Sequence, residues 1–210
     1  MTGTVVGYDP GGNGKHGLAW ATVQDGRIGS KVNTDTFGNV EEVLASIRKI
    51  GPLLGLGIDT LTCWSTGDGG WRPADHRLRT YYDAVKRSVI APNSLAGSMI
   101  VSGMAVLLAV RRAFPGVFVT ETHPKVLYYE LSGGQHHDYG TYRSDMHKWL
   151  RGKLASDVAP RDDHQWDAAI SILPVVRWLD GSWQNDLHAG ERLVRPCDET
   201  TAYVWPTELR

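Results

Sequence analysis

The stretch TVVGYDPGGNGKHGLAW, residues 4–20, decides how this chain folds. Its β-branched start runs into an acid, Asp9, and then into Pro10-Gly11-Gly12, the pattern of a strand entering a turn. The glycines that follow imitate a phosphate-binding loop, and the imitation fails twice. Such a loop needs Gly, four residues, then Gly-Lys-Ser/Thr, so that backbone amides wrap phosphate and a hydroxyl meets magnesium. Counted back from Gly14-Lys15, the first glycine falls on Asp9, and the residue after Lys15 is His16. The glycines therefore belong to Asp9, and the role of Asp9 has to be read from the rest of the chain.

Outward from this stretch, residues 17–24 alternate as a second strand, and Asp25-Gly26 marks a tight hairpin into a third, roughly 27–37. Residues 39–51 carry an Asn cap, early acids, helical spacing and a final glycine, which predicts a helix. Residues 53–59 read as a buried strand, again ending in an aspartate, Asp59. Three antiparallel strands, a helix and a returning strand form the first half of a mixed α/β sheet with a right-handed crossover. Residues 62–77 read as a glycine-rich loop and 78–87 as a short helix. Residues 94–114 predict a central, largely buried helix capped by Ser94, with Gly97 and Gly103 permitting close packing. Residues 116–121 form a further strand ending in Glu121.

A short helix after His123-Pro124, a polar loop over 133–142 and an amphipathic helix over 144–155 follow. Residues 161–180 form a helix that Pro174 kinks or interrupts, and residues 192–206 a hairpin or edge strands. No linker divides the 210 residues, so one domain with this C-terminal extension is expected.

The net charge of −1 provides no global field for nucleic acid, so any such binding must come from a local patch. Two distant cysteines make neither a disulfide framework nor a zinc ribbon, and the N-terminus has no signal-peptide pattern. A reducing cytoplasm is the simplest setting, and residues 103–110, the longest apolar run, are too few to span a bilayer. The eight tryptophans are expected to pack or cap the core.

Three strands thus end in carboxylates: Asp9, Asp59 and Glu121. With their strands parallel or adjacent, these acids gather at one sheet edge. Asp163 and Asp167 at i, i+4, with His164 between them, present further ligands from one helix. Crowded carboxylates repel one another unless a cation compensates, and Mg2+ or Mn2+ suits oxygen ligands. Two such ions about 3.5–4 Å apart activate a water and stabilise the leaving oxygen of a phosphodiester. The glycines after Asp9 are then expected to leave room for a substrate backbone and hydrated metal. The plainer reading of each acid alone is a helix cap or turn residue.

At these residues the chain resembles the ribonuclease-H-like superfamily, most of all a prokaryotic family of predicted RNase H-like nucleases, and more distantly Holliday-junction resolvases. The resemblance covers most of the chain and rests on GYDPGGNGKHGLAW, GIDT, WRPADHRLR, VTETHPKVLYYEL and DHQWDAAISIL, in that order. It implies an RNase H-like mixed five-stranded sheet flanked by helices, and a metal-dependent nuclease. It also implies that Asp9 bridges two metals, with Asp59 and Asp167 as further ligands and Glu121 beside them. Asp163 or His164 then completes a ligand or positions the water. The family often has a second acid after the histidine-proline pair, where this chain has Lys125.

Arg72, Arg79 and Lys125 are the candidate phosphate contacts, ordinary solvated charges being the alternative for each. The expected partner is nucleic acid, with RNA or DNA both left open, as is a homo-oligomer. Two rival readings stand: a catalytically silent RNase H-like binding module, and an ATP-binding domain of the actin, Hsp70 and sugar-kinase type. The second lacks room for its usual two domains and lacks a second phosphate loop.

Overall fold

The computed structural model describes residues 2–12, 14–91 and 97–209. Asn13, inside the opening glycine-rich stretch, and Ser94, the expected helix cap, lie outside them.

Strand β1 (Thr2–Asp9) pairs antiparallel with β2 (His16–Gln24), in register from Thr2 opposite Gln24 to Asp9 opposite Gly17. At the expected hairpin both Asp25 and Gly26 have positive φ, 50° and 77°, the conformation a two-residue turn of this hand requires. The third strand is split in two: β3 (Arg27–Ile28) and β4 (Asn33–Phe37) both pair with β2. Helix α1 (Val40–Lys49) starts at Asn39, whose side chain accepts from the Glu42 amide at 2.9 Å, and leads into β5 (Leu53–Ile58). β5 runs parallel to β1, and β6 (Phe118–Glu121) runs parallel to β5. The order β3-β2-β1-β5-β6, antiparallel on one side and parallel on the other, is the mixed sheet anticipated from the sequence.

Strand periodicity divides this sheet between two helical layers. Val6, Tyr8, Leu56 and Ile58 face α1 and α3 (Gly97–Ala113), while Val5 joins the opposite cluster. The opposite layer contains α4 (Pro124–Leu131), α5 (Tyr139–Leu154), α6 (Asp163–Ile170) and α7 (Ile172–Leu179). The expected helix over 161–180 is thus two helices that meet at Ser171, with Pro174 in the first turn of the second, where its missing N–H is tolerated.

α3 departs from its expected central position. Val101 is 69% exposed, and Leu108 and Met99 are also on the surface, so only one face is buried. Gly103 does make the close packing, since a Cβ there would lie 2.3 Å from the Thr60 hydroxyl, whereas Gly97 has open space. The loop expected over 62–77 ends early, because α2 (Pro73–Tyr81) begins with Pro at its first position and Asp75 bonding back to the Arg72 amide. α5 likewise starts within the expected loop, capped by Asp138.

The tail forms β7 (Asn185–Asp186) with β8 (Val204–Trp205), and Ala202 bridges to β6 through two backbone hydrogen bonds of 2.7 and 3.0 Å. No helix among the described residues is long and apolar enough to cross a membrane.

Two glycines set how deeply α6 and α7 sit. A Cβ on Gly7 would lie 1.9 Å from the Ala168 carbonyl oxygen, and one on Gly57 would lie 1.9 Å from that of Ser171. Backbone therefore rests on backbone where the two helices meet. Gly57→Ala should lower stability by about 3 kcal/mol, the upper range for overpacking, because no flexible side-chain end can yield. Urea unfolding measures this, and a loss below about 0.5 kcal/mol would contradict such close seating.

Candidate metal centre

The close seating of α6 gives the site its location. Gly7 and Asp9 lie two residues apart on one strand, as do Gly57 and Asp59, so in each case the acid shares a face with the glycine that admits the helix. Asp59 continues the ladder just past β5, its amide donating to the Tyr8 carbonyl at 2.9 Å. The N-terminus of α6 is fixed by Asp162, which accepts from the Gln165 amide and from the Thr36 hydroxyl, both at 2.8 Å. This cap delivers His164 and Asp167 to the ends of β1 and β5.

Asp9 is 2% exposed, and its Oδ2 lies 2.6 Å from Nδ1 of His164. Burial pushes the Asp9 carboxyl up to about 8; His164 opposes this, and the charges of Asp167 and Asp59 add to it. Asp59 is raised too, by burial and by Asp167, against His123, whose Nδ1 is 3.8 Å from its Oδ1. The hydrogen bond to Asp9 raises His164 above the ordinary histidine range despite partial burial. Asp9, Asp59 and Asp167 are thus near enough to repel one another.

Asp167 is itself 5% exposed. His137 Nε2 lies 3.0 Å from its Oδ1, an ion-pair distance, yet neither atom makes a hydrogen bond among the described residues. A buried carboxylate oxygen without a donor is costly, and it is the type of atom a cation would satisfy.

The remaining candidates separate from this group. Asp163 is exposed in the first turn of α6, its Oδ1 4.0 Å from the far nitrogen of His164. Glu121 lies at the end of β6 as expected, but its carboxylate is taken: Arg72 donates to Oε1 at 2.7 Å and to Oε2 at 2.8 Å, and Thr62 donates to Oε2 from amide and hydroxyl, each at 2.9 Å. Burial alone would raise this carboxyl, and the Arg72 guanidinium reverses the effect and holds it below its usual range.

Arg72, read from sequence as a phosphate contact, is fully buried and unavailable to substrate, because Glu121 and Asp75 bind it on two sides. Arg79 is also committed, donating to the carbonyls of Lys86 and Val89 with its guanidinium over Trp71. Lys125 remains exposed, on a cavity of about 390 Å³ that opens beside Asp59 between Arg87, Met99, Ile100 and His123. Gly11, expected to leave room for substrate, makes room for the Lys15 carbonyl and His164 instead. A Cβ there would lie 1.9 Å from that carbonyl oxygen and 2.6 Å from the imidazole.

His137 is the site residue that sequence reading missed. Its signal was the pair His136-His137 in the segment after α4, which periodicity could not connect to Asp167 thirty residues on.

The strand order, the mixed directions and the helical layers on both faces define the ribonuclease-H-like fold. Among solved structures the chain is similar to the RuvC of Thermus thermophilus, at 20% identity and a TM-score of 0.49, over 85% of this chain and 96% of that one. It is also similar to T. thermophilus RuvC in complex with a Holliday junction substrate, at 17% identity and a TM-score of 0.48, over the same shares. No family model and no curated protein matches the chain.

Proposed function

We propose that this chain is a divalent-metal-dependent nuclease that hydrolyses phosphodiester bonds in nucleic acid, with Asp9, Asp59 and Asp167 holding Mg2+ or Mn2+. The observation that carries the reading is the buried Oδ1 of Asp167, which accepts no hydrogen bond, set near two further acids that burial raises, with the charge of Asp167 adding to both shifts. Hard divalent cations are the ligands that relieve such a group, since they take carboxylate oxygen and retain water. When bound in pairs, such ions activate a water and stabilise a leaving alkoxide.

The chain's own residues supply the rest. His164 stores a proton 2.6 Å from Asp9 and carries it when Asp9 ionises. His123 steadies Asp59. Lys125 and Arg87, on the cavity beside Asp59, offer cationic contact to a phosphate. Glu121 is not among the proposed ligands, because Arg72 occupies both its oxygens.

Cleavage of RNA, DNA, hybrid and branched substrates in the presence of Mn2+ tests the proposal, with Asp167→Asn as the control. At least one substrate should be cut by the wild type and spared by the variant. Equal cutting by both would mark a contaminant, and Mn2+ binding without any cutting would select the silent binding module instead.

A further inference from the structure

His137 brings a donor of another kind to the aspartate group. Its side chain is 9% exposed and that of Asp167 is 7% exposed, with Nε2 of the one 3.0 Å from Oδ1 of the other. Neither atom has a hydrogen-bond partner among the described residues. We propose that His137 is a direct ligand of the ion that Asp167 holds, which gives the centre an imidazole nitrogen among its carboxylates and a preference for Mn2+ over Mg2+. This rests on the metal reading of Asp9, Asp59 and Asp167 and adds to it a fourth ligand and an ion preference.

The pair meets one requirement of a hydrogen bond and fails the other. Two buried groups at this separation ordinarily bond, since leaving both unsatisfied is costly. Two ligands of one ion behave differently, because each directs its lone pair at the ion and not at its neighbour. Bonds of about 2.1 Å meeting at the right angle of an octahedral site set the donor atoms about 3.0 Å apart. The observed separation is the same. A charged histidine paired with the carboxylate explains the approach but not the missing hydrogen bond.

The fold holds both donors in place. His137 immediately precedes Asp138, whose carboxylate caps α5 by accepting from the Thr141 amide at 3.0 Å. The rings of Tyr128 and Trp166 stand steeply inclined to the imidazole, at 6.4 and 5.2 Å between centroids, and Trp166 is the residue before Asp167. Packing around a ligand is what keeps a metal site in its working geometry. His136, by contrast, is exposed and lies against Tyr129.

The nitrogen sets the ion preference. Mg2+ favours carboxylate, carbonyl and water oxygen, whereas imidazole suits transition ions. Mn2+, a transition ion that also takes carboxylate oxygen, matches the mixed donor set.

Electron spin-echo spectroscopy of bound Mn2+ detects a coordinated nitrogen nucleus and reads the ligand without relying on cleavage. The full chain is stripped with chelator and titrated with Mn2+ alone. His164, beside Asp9, is a second imidazole near the centre, so spectra are recorded for the wild type, for His164→Gln, and for His164→Gln combined with His137→Gln. Nitrogen coupling is expected in the first two and absent from the third, while His136→Gln alone should retain it. His137→Asp, which exchanges nitrogen for oxygen, should still bind Mn2+ and lower the Mn2+ over Mg2+ affinity ratio by about tenfold. A histidine with only a structural role would leave that ratio unchanged. Mn2+ bound without nitrogen coupling in the wild type or in His164→Gln, coupling that persists in the double variant, or an unchanged ratio in His137→Asp overturns the proposal and leaves the carboxylate centre standing. A wild type that binds no Mn2+ removes that centre and the proposal with it.

Discussion

Asp9→Asn should reduce metal-dependent cleavage by about a thousandfold or more, and the same change should make the metal-free protein harder to unfold. The first effect follows from removing a ligand whose cation supplies several kcal/mol of charge stabilisation in the transition state, where about 4 kcal/mol is a thousandfold in rate. The second follows from burial. The Asp9 carboxyl rises from an ordinary 3.8 to about 8 on folding, so the folded chain holds a proton that the unfolded chain releases. A raised folded pKa contributes stability in full below the unfolded value and loses it as pH climbs through the folded one. His164, also raised, loses its contribution in the same direction.

Metal-free wild type should therefore weaken steadily from about pH 4 to pH 8. The asparagine variant should show a shallower slope over that range, since Asp59 stays raised, with a Tm advantage of roughly 5–10 °C at pH 8 and much less at pH 5. Added Mn2+ should restore the wild type and leave the variant unchanged. Thermal melts at the two pH values with and without metal measure all of this, and a variant less stable than wild type at pH 8 without metal would refute the account.

The main features of the candidate site were legible because they are local. Asp9 and Asp59 each close a β-branched or apolar run, and each follows a glycine by two positions, so strand periodicity alone puts acid and glycine on one face. His164 and Asp167 are related by helical spacing, and Asp162 is a readable cap. Glu121 was correctly placed at a strand end and wrongly grouped, because its partner Arg72 lies forty-nine residues earlier and no spacing rule connects them. Arg72 itself looked like a surface cation in a glycine-rich loop. Only the convergence of Asp75 and Glu121 removes it from solvent. The start of α2 was available in PAD, residues 73–75, where Pro and an acid at the third position mark a helix N-terminus. The contact of His137 with Asp167 and that of Cys63 with His188 are products of tertiary folding, for which a single sequence carries no periodic signal.

Arg72→Met should be the most damaging single change away from the aspartates, costing about 3–5 kcal/mol. Methionine approximates the length of the arginine stem, so the loss is electrostatic more than steric. Arg72 makes two hydrogen bonds to Glu121, at 2.7 and 2.8 Å, and two more from its side chain to Asp75, at 2.6 and 2.9 Å, all within the buried interior. Removing the cation leaves two carboxylates out of water with Thr62 as the remaining donor to Glu121. The pH dependence distinguishes this from a packing defect. In the wild type Arg72 depresses the Glu121 carboxyl, whose stabilising contribution is present above the ordinary glutamate pKa and is lost as pH falls through the depressed value. Without Arg72, burial, the largest influence on that carboxyl, is opposed only by His188 and Thr62, its folded pKa moves above the unfolded one, and acidification from pH 7 to pH 5 should stabilise the variant. A second change, Glu121→Gln, should recover part of the loss and flatten this slope, because the amide needs no counter-ion. Denaturant unfolding of the two single variants and the double at both pH values measures the coupling. Additive losses, or a stabilisation on acidification no larger in the variant than in the wild type, would show that Arg72 holds Glu121 by shape and not by charge.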